Sequence, residues 1–412
     1  MGLKRFQRVV AALAAPLVLV TAACSQGSSS GNAATPSSTT SSGATDPSGV
    51  TEVAPGGDIY ALAEPLPAGE PGDVIAVQEI EGIDVAGTVM RVLYHSQSIQ
   101  GDDIAVSGLI VVPDGPAPDG GRPVLSWAHG TTGVADACAP SKDPASAGMA
   151  LVGPLLERGM VVAATDYEGL GTPGRHPYLV GASEGRGVLD IVRAAQALGD
   201  RVGASDEVVI WGHSQGGQAA LFANQIAPDY APELHVVGTV AGAPPSQLPL
   251  IANALKDSPF RFYLAMVAAG WQAAYPDADP ADVLTPEGLK RLPIFDEACG
   301  SAVVAPWNDL PYDQLVKADP ATVAPWKDLL VENDPGFAVG ESPILIIHGE
   351  QDEQIPLVTS QLLMERMCAV GQIVERKTYP GNHVGVIAPS MPDMLAWIDA
   401  RLGGEQAVSG CP

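Results

Sequence analysis

The sequence predicts an α/β fold in which a mostly parallel central sheet is flanked by helices. Short runs rich in β-branched residues alternate with helical patterns through most of the 412 residues. The early runs are separated by turns, whereas the later ones alternate with helices, which is typical of a parallel sheet. The later runs are also continuously apolar, as expected for strands that helices cover on both faces.

Nine strands and five helices can be placed from these patterns. The predicted strands are residues 74–80, 87–94, 104–112, 124–128, 160–165, 208–211, 236–241, 344–347 and 373–379. The predicted helices are residues 147–158, 184–198, 217–226, 357–370 and 391–402. The fourth helix has Pro356 at its start and Gly371 just past its end, the residues favoured at those two positions.

The alternation of strands and helices stops between residues 244 and 340. This stretch combines many prolines and aromatic residues with amphipathic helical pieces. Because it interrupts the strand series, we predict that residues 244–340 are a helical cap inserted at the carboxyl edge of the sheet. Residues 58–243 and 341–412 would then be the two parts of one core. The alternative is that these residues form a separate small domain with a purely structural role.

Residues 1–23 are predicted to be a signal peptide. Three basic residues precede an apolar stretch at 9–23, which is too short to span a bilayer comfortably. The break at Thr21-Ala22-Ala23-Cys24 resembles a bacterial lipobox, although leucine is more usual at its first position. We prefer lipidation of Cys24 at the outer face of the membrane, because an exported protein would otherwise carry an orphan thiol there. The alternative is plain secretion after cleavage near Ala23.

Residues 24–57 are predicted to be a lipid-anchored flexible tether. They are rich in Ser, Thr, Gly, Ala and Pro and hold too few apolar side chains to fold. The whole chain has a net charge of −26, which argues against nucleic-acid partners and against electrostatic docking to anionic lipid. We therefore expect membrane contact only through the N-terminal lipid anchor, and the oligomeric state is left open.

A candidate nucleophile follows the predicted strand at 208–211. The segment Gly212-His213-Ser214-Gln215-Gly216 fits the Gly-x-Ser-x-Gly pattern between a strand and a helix. Small residues on both sides of the serine allow a sharp turn that exposes its hydroxyl group at the carboxyl edge of a sheet. The helix N-terminus beside it favours developing negative charge. The alternative is a glycine-rich turn with an incidental serine. A histidine base and a carboxylate in suitable positions of the chain would favour the catalytic interpretation.

A base and an orienting acid follow Ser214 in the chain. The apolar run at 344–347 leads into a loop with Asp352, the preferred acid, and Glu350, the alternative. His383 lies in the loop after the run at 373–379, where a histidine can reach the serine. His213 is expected to point away from the serine, and His348 is expected to be a structural residue of its strand. A serine, a histidine base and a carboxylate are the groups that nucleophilic acyl transfer requires.

The loop after the strand at 124–128 is the candidate oxyanion hole. It reads His129-Gly130-Thr131-Thr132-Gly133, which fits the loop that supplies one of the two backbone donors. We expect the N–H of Gln215 to be the first donor and that of Gly130 or Thr131 to be the second. Residues 166–171, after the next strand, are expected to line the pocket or to shape this loop.

Four cysteines remain when Cys24 is set aside. An even number in an exported protein indicates two disulfides, and the sequence leaves three connectivities open. We prefer Cys138–Cys299 and Cys368–Cys411, of which the second would fasten the C-terminus to the domain.

Six short motifs together resemble one known family, and their order is more specific than any one of them. They are His129-Gly130-Thr131-Thr132-Gly133, Cys138-Ala139-Pro140-Ser141, Asp166-Tyr167-Glu168-Gly169, Gly212-His213-Ser214-Gln215-Gly216-Gly217, Gly349-Glu350-Gln351-Asp352 and Asn382-His383. Over about residues 58–411 the chain is similar to the secretory lipases of the α/β-hydrolase superfamily. The resemblance implies hydrolysis of acyl esters or lipids by Ser214, Asp352 and His383, with a helical lid, no metal and no organic cofactor.

Two other functions stay open at this point. The same fold and the same three residues serve serine peptidases and acyltransferases, because they do not fix what accepts the acyl group. A surface lipoprotein that has lost its activity is the third hypothesis.

Overall fold

The computed structural model describes residues 44–45, 49–61, 63–145 and 151–412. The predicted signal peptide and the predicted lipidation at Cys24 lie outside the described residues, as do residues 147–150 of the first predicted helix. No helix within these ranges is long and apolar enough to cross a membrane.

One sheet runs through the described part of the chain. Its strand order is β1-β2-β3-β4-β5-β7-β6-β8-β9-β10-β11. The strands are β1 Ala44–Thr45, β2 Thr51–Glu52, β3 Val74–Ile80, β4 Gly87–Gln97, β5 Asp103–Pro113, β6 Arg122–Ala128, β7 Val161–Thr165, β8 Ala204–His213, β9 His235–Gly242, β10 Ile344–Gly349 and β11 Val374–Tyr379. Strands β6 to β11 pair in parallel, and so do β2 and β3. The pairs β1–β2, β3–β4, β4–β5 and β5–β7 are antiparallel.

The helices fall into two groups. Those that cover the sheet are α1 Gly153–Leu156, α2 Gly181–Ala197, α3 Gln215–Tyr230, α11 Leu357–Val370 and α12 Ile387–Leu402. Those between β9 and β10 are α4 Leu248–Leu255, α5 Phe262–Ala274, α6 Pro286–Arg291, α7 Ile294–Glu297, α8 Val304–Asn308, α9 Tyr312–Leu315 and α10 Trp326–Glu332.

Both faces of the sheet are covered, which explains the continuous apolar runs. Helices α2 and α3 pack on one face, where Val188 and Ala219 join the core, and α1 and α12 pack on the other, with Leu155 and Trp397. Every residue of β10 is buried. A strand without a solvent-facing side has no polar alternation, so its sequence reads as an uninterrupted hydrophobic segment.

The nine predicted strands are all present, and most differ from the prediction by a few residues at their ends. Two differences are larger. Of the first predicted helix, at 147–158, the described residues 151–158 contain only the four residues of α1, and a turn with Gly159 at a positive φ of 74° follows it. Strand β2 lies inside the predicted tether of residues 24–57 and pairs with β3, so the sheet begins before the predicted boundary.

The segment between β9 and β10 supplies most of one hydrophobic core cluster. Trp271, Trp307 and Trp326 are almost completely buried in it, together with Phe295. The rings of Trp271 and Trp326 stack with centroids 5.8 Å apart. This core is continuous with Tyr178 and its neighbours before α2, so the insertion packs directly on the loops at the carboxyl edge of the sheet.

Two disulfides fasten distant parts of the chain. Cys138, after β6, is bonded to Cys299 in the insertion, and Cys368 of α11 is bonded to Cys411 near the C-terminus. These are the two pairings that the sequence analysis preferred. The first ties the insertion to a loop at the carboxyl edge of the sheet.

Candidate active site

Ser214 occupies the turn between β8 and α3. Its backbone angles are φ 62° and ψ −126°, a conformation that residues other than glycine rarely adopt. A Cβ atom on Gly212 would collide with the carbonyl oxygen of Gly216, and one on Gly216 would collide with that of Ala128. Glycine at both positions therefore lets the strand and the helix approach closely enough to form the turn predicted from the sequence.

His383, in the loop after β11, reaches this serine. Its Nε2 is 2.9 Å from Oγ of Ser214, and its Nδ1 is 2.7 Å from Oδ2 of Asp352. A carboxylate only accepts hydrogen bonds, so Nδ1 of His383 carries the hydrogen and donates it to Asp352. This leaves Nε2 free to accept from the hydroxyl group of Ser214. The histidine is only 2% exposed, which shields the chain of bonds from bulk water.

Four donors converge on the carboxylate of Asp352. Its Oδ1 accepts from the backbone N–H groups of Gln354 at 2.9 Å and Ile355 at 2.8 Å. Its Oδ2 lies 3.2 Å from Nε2 of His348 in addition to the contact with His383. Burial raises the pKa of a carboxyl group, but the bonds from His348 and His383 outweigh it and hold the pKa of Asp352 well below its usual value.

Glu350, the alternative acid, is placed differently. It is exposed, and its carboxylate accepts from Oγ1 of Thr378 at 3.5 Å. His348 is completely buried on β10, and its Nε2 also lies 3.1 Å from the carbonyl oxygen of Ile355. Because both neighbours of this Nε2 are acceptors, His348 donates from it. The expectation that His348 is structural therefore missed its contact with the acid.

The three predicted oxyanion residues surround Ser214. Gln215 begins α3, where backbone N–H groups have no partner within the helix. Gly130 lies so close that a Cβ atom on it would be 3.7 Å from Cβ of Ser214. Thr131 lines the same cavity as the serine, and its Oγ1 is 2.8 Å from the phenol oxygen of Tyr178.

Residues 166–171 support the loop of His129 and Gly130. The hydroxyl group of Tyr167 donates to the carbonyl oxygen of His129 at 2.9 Å. The carboxylate of Asp166 accepts from the backbone N–H of Ser141 at 2.9 Å and from Oγ of Ser107 at 2.6 Å. Burial raises the pKa of Asp166 and lowers that of His129. These bonds join the two loops that follow β6 and β7.

His213 lies against the candidate base rather than away from the site. Its ring centroid is 4.9 Å from that of His383, and both residues line one cavity with Ser214. Burial, and next the neighbouring His383, lower the pKa of His213 to about 3. A neutral ring therefore stands beside His383, and it adds no charge that would oppose an imidazolium there.

A buried polar cluster behind Gln215 was not anticipated from the sequence. The side-chain nitrogen of Gln215 donates to Oε1 of Glu184 at 2.8 Å and lies 2.7 Å from Nε2 of His176. Glu184 also accepts from the backbone N–H of Leu179 at 2.8 Å. Glu184 stands in the first turn of α2, where a carboxylate is common for other reasons. Nothing in its spacing could have linked it to His176.

Two cavities meet at Ser214. The first extends into the insertion and is lined mainly by aliphatic and aromatic side chains, among them Leu248, Trp271 and Trp326. The second has a volume of about 470 Å³, contains His383 and Gly130 in its wall, and is more polar. Among the described residues there is no group of three or more His, Cys, Asp or Glu placed to hold a metal ion.

The family follows from comparison with known proteins. A model of a family described as secretory lipase matches residues 144–410, which is well over half of the chain. The chain belongs to the secretory lipase family.

Several fungal lipases are similar to this chain. The chain is 28% identical to lipase 5 of Candida albicans over 281 residues. The matched region covers 64% of this chain and 59% of that lipase. It is 29% identical over 302 residues to the secreted triacylglycerol lipase LIP4 of Malassezia globosa, covering 67% and 65% of the two chains. The matched parts are thus less than two thirds of either relative.

Solved structures show the fold. Lipase A of Candida antarctica in its closed state superposes with a TM-score of 0.73 at 22% identity and covers 83% of this chain and 84% of that one. The rice cell wall degrading esterase LipA of Xanthomonas oryzae gives 0.68 at 20% identity, covering 82% and 100%. The chain therefore has the α/β-hydrolase fold.

Proposed function

We propose that this secretory lipase is an exported serine hydrolase that cleaves carboxylic acyl esters through an acyl-enzyme intermediate. The observation that carries the proposal is the unbroken contact from Oγ of Ser214 through His383 to Asp352, at 2.9 and 2.7 Å. These are the distances over which a nucleophile, a base and an orienting acid act together.

In the first half of the reaction, Oγ of Ser214 attacks the carbonyl carbon of the ester while Nε2 of His383 takes the hydroxyl proton. Asp352 holds the ring in the tautomer with a hydrogen on Nδ1 and stabilises the imidazolium that forms. Its lowered pKa keeps it ionised at neutral pH, as this role requires. The strained backbone of Ser214 keeps the hydroxyl group presented to the ester.

The negative charge that develops on the carbonyl oxygen needs donors that are in place before the reaction. We assign them to the backbone N–H of Gln215, and to that of Gly130 or Thr131. The position of Gln215 at the start of α3 supports the first, because the helix N-terminus also favours negative charge. The closeness of Gly130 to Ser214 supports the second.

The first half ends when the bond from the acyl carbon to the alcohol oxygen breaks, the proton on His383 passes to that oxygen, and the alcohol departs to leave the acyl-enzyme. Water then enters, His383 takes one of its protons, and the resulting hydroxide attacks the acyl carbon. The acid leaves, and Ser214 recovers its proton from His383. Hydrolysis rather than transfer to another acceptor is supported by the names of the fungal relatives, which are lipases.

The insertion would act as the cap and hold the acyl group. We place its boundaries at residues 244–340, between the two parts of the core at 58–243 and 341–412. Support comes from the apolar cavity that begins at Ser214 and continues among Leu248, Trp271 and Trp326. Tyr275, another aromatic residue of the insertion, donates to Oε1 of Glu332 at 2.9 Å and is not part of this lining.

Such a cavity suits a hydrocarbon chain, and lipid esters, including triacylglycerol, are the proposed substrates. Export is supported by the secretory lipase family and its secreted relatives. Attachment at Cys24 remains our proposal for how the enzyme stays at the cell surface, with the secreted form as the alternative. Metabolic labelling with a radioactive fatty acid should mark the wild type and leave Cys24→Ser unlabelled. Equal labelling of both would exclude this anchor.

The experiment that tests the proposed function compares Ser214→Ala with Ser205→Ala, a serine at the other end of β8. Hydrolysis of p-nitrophenyl butyrate should fall by about 10⁴-fold or more in the first variant and stay near wild type in the second. More than about one per cent of wild-type activity in Ser214→Ala would contradict the proposal. Turnover of aminoacyl anilides without ester turnover would instead favour a serine peptidase.

A further inference from the structure

We infer that the second cavity binds the alcohol part of the ester, and that it fits a bulky alcohol that carries hydroxyl groups. This inference rests on the proposed function and adds to it the chemical class of the leaving group. It starts from the contrast between the two cavities that share Ser214.

Proton transfer decides which cavity takes which part of the substrate. The Oγ of Ser214 forms a bond to the acyl carbon, the bond from that carbon to the alcohol oxygen breaks, and the proton held by His383 goes to that oxygen. The alcohol must therefore leave on the side of His383. His383 lines the second cavity and is absent from the lining of the first.

A contact between the insertion and the acid loop separates the two cavities. The phenol group of Tyr263, on α5, donates to Oε1 of Gln354 at 2.9 Å, and both residues line both cavities. With this pair in place, the acyl chain and the alcohol are directed to opposite sides of Ser214.

The size of the second cavity exceeds what a simple alcohol needs. About 470 Å³ lies within the range of roughly 300–1,000 Å³ that is usual for sites of drug-sized ligands. Methanol or ethanol would leave most of this space to water. A leaving group the size of a ring or larger fills it and gains binding energy that an ethyl group cannot.

The lining has both apolar and polar character. Trp127, Leu151 and Ile387 supply apolar surface that a carbon framework can cover. Thr132 also lines the cavity, and its buried hydroxyl group has no hydrogen-bond partner among the described residues. A rotation of this side chain that turns the hydroxyl group toward the cavity would let a hydroxyl group of the ligand supply the missing partner. Asp143 adds an exposed carboxylate that can accept hydrogen bonds from hydroxyl groups. A hydroxylated ring matches this combination better than a plain hydrocarbon.

The test uses three butyrate esters of primary alcohols, because these share the acyl group and have leaving groups of similar intrinsic reactivity. They are ethyl butyrate, cyclohexylmethyl butyrate and the 6-O-butyrate of methyl glucoside. For the wild type we expect kcat/KM to rise in that order, with about a tenfold span. Values for both ring esters at or below that of ethyl butyrate would overturn the inference. So would a preference for the cyclohexylmethyl ester over the glucoside ester.

Variants of the full chain locate the effect. Ala137 is exposed and lines only the second cavity, so Ala137→Trp should fill it without disturbing the core, and Ala137→Ser is its control. The tryptophan variant should lose the advantage of both ring esters while its turnover of ethyl butyrate stays near wild type. Val267→Phe, in the first cavity, should keep the order of the alcohols and lower turnover of longer acyl chains instead. If Ala137→Trp left the order of the alcohols unchanged, the cavity would not be the alcohol site.

Thr132→Val tests the polar part of the lining at nearly constant volume. Loss of one hydrogen bond should lower kcat/KM for the glucoside ester by about 2- to 10-fold and leave the cyclohexylmethyl ester unchanged. An equal effect on the two ring esters would contradict the role of Thr132. The whole inference is separable from the proposed function, because an enzyme that hydrolyses ethyl butyrate but ignores the size of the alcohol defeats only the inference.

Discussion

The two walls around Ser214 are built in different ways. On the sheet side, the loops after β6, β8, β10 and β11 bring together polar groups that are fixed by hydrogen bonds, such as the pair of His383 and Asp352 at 2.7 Å. On the insertion side, helices α4, α5 and α10 present mostly aliphatic and aromatic side chains to the first cavity, with Leu248 and Leu330 among them.

If the proposed function holds, this difference implies that reactivity and selectivity can be changed by separate substitutions. A polar group held by several bonds determines how fast any ester reacts, because the transition state needs that group in one position. An apolar wall determines which esters bind well, because its contribution grows with the area that it buries. Substitutions of Ser214, His383 or Asp352 should therefore affect all esters alike, whereas substitutions in the first cavity should affect mainly esters with long acyl chains.

The largest loss of activity is expected when Asp352, the acid on the sheet side, is replaced. Asp352→Asn should lower kcat for every ester by about 10⁴-fold, because an amide in this place no longer holds the required tautomer of His383 or stabilises its imidazolium. Glu350→Gln is the control and should stay close to wild type, since Glu350 is exposed. Steady-state rates on acetate and octanoate esters measure both. The opposite ranking would move the acid to Glu350.

A smaller effect is expected for His348, the second histidine on Asp352. His348→Leu removes a hydrogen bond to a charged group, which is worth about 1.5–3 kcal/mol, so kcat should fall by about 10- to 100-fold. His348→Gln can place its amide nitrogen near the same position and should recover most of that loss. A merely structural residue would not be rescued in kcat by this change. Equal rates for the two variants, at equal thermal stability, would exclude the positioning role.

His213, on the sheet side, is expected to affect the stability of the fold rather than the rate of ester hydrolysis. Its pKa is lowered from 6.5 to about 3 in the folded protein, so the unfolded chain binds a proton at mildly acidic pH that the native protein does not. Native stability is therefore intact above pH 6.5 and is lost as the pH falls below it. At pH 5 the loss should be about 2 kcal/mol.

Urea unfolding at pH 7.5 and pH 5 measures this effect. His213→Gln has no titrating ring, so its free energy of unfolding should fall less than that of the wild type between the two pH values, by about 2 kcal/mol. Parallel losses in both proteins would show that His213 titrates normally in the fold.

The smallest effect, counted per methylene group of the acyl chain, is expected for the first cavity in the insertion. Each methylene group of an acyl chain that enters the first cavity should add about 0.8 kcal/mol, so kcat/KM should rise with chain length and then level off. Val316→Phe, which narrows this cavity, should move the plateau to shorter chains without changing turnover of acetate esters. Val331→Phe, at an exposed position outside the lining, is the control. Equal losses for acetate and long esters would make the insertion a structural element.

The sheet side could be predicted from the sequence because its signals are local. Strand β10 is buried on both faces and therefore reads as one apolar run, and the polar residues that follow such a run must lie at the carboxyl edge. The turn at Ser214 is visible for a similar reason, because Gly212 is required by the close approach of the carbonyl oxygen of Gly216, only four positions along the chain. His383 and Asp352 each follow a later strand of the sheet, so both could be placed at the same edge as Ser214.

The rest could not be predicted because it depends on contacts between distant segments. Glu184 meets Gln215, which is 31 residues away, and Gln215 meets His176 at a separation of 39. No local pattern records these pairs. In the insertion, several helices have only four to eight residues, too short to show a period, and their arrangement follows from packing around Trp271 and Trp326.

The central claim is that Ser214 is the nucleophile activated by His383. The most direct measurement treats the protein with an alkyl fluorophosphonate, which phosphonylates activated serines, and then locates the adduct by peptide mass spectrometry. We predict one adduct per chain, at Ser214, with activity lost in proportion to labelling and with no labelling of the His383→Ala variant. Inactivation with the adduct on another residue, or full labelling of Ser214 in the enzyme without His383, would contradict the account.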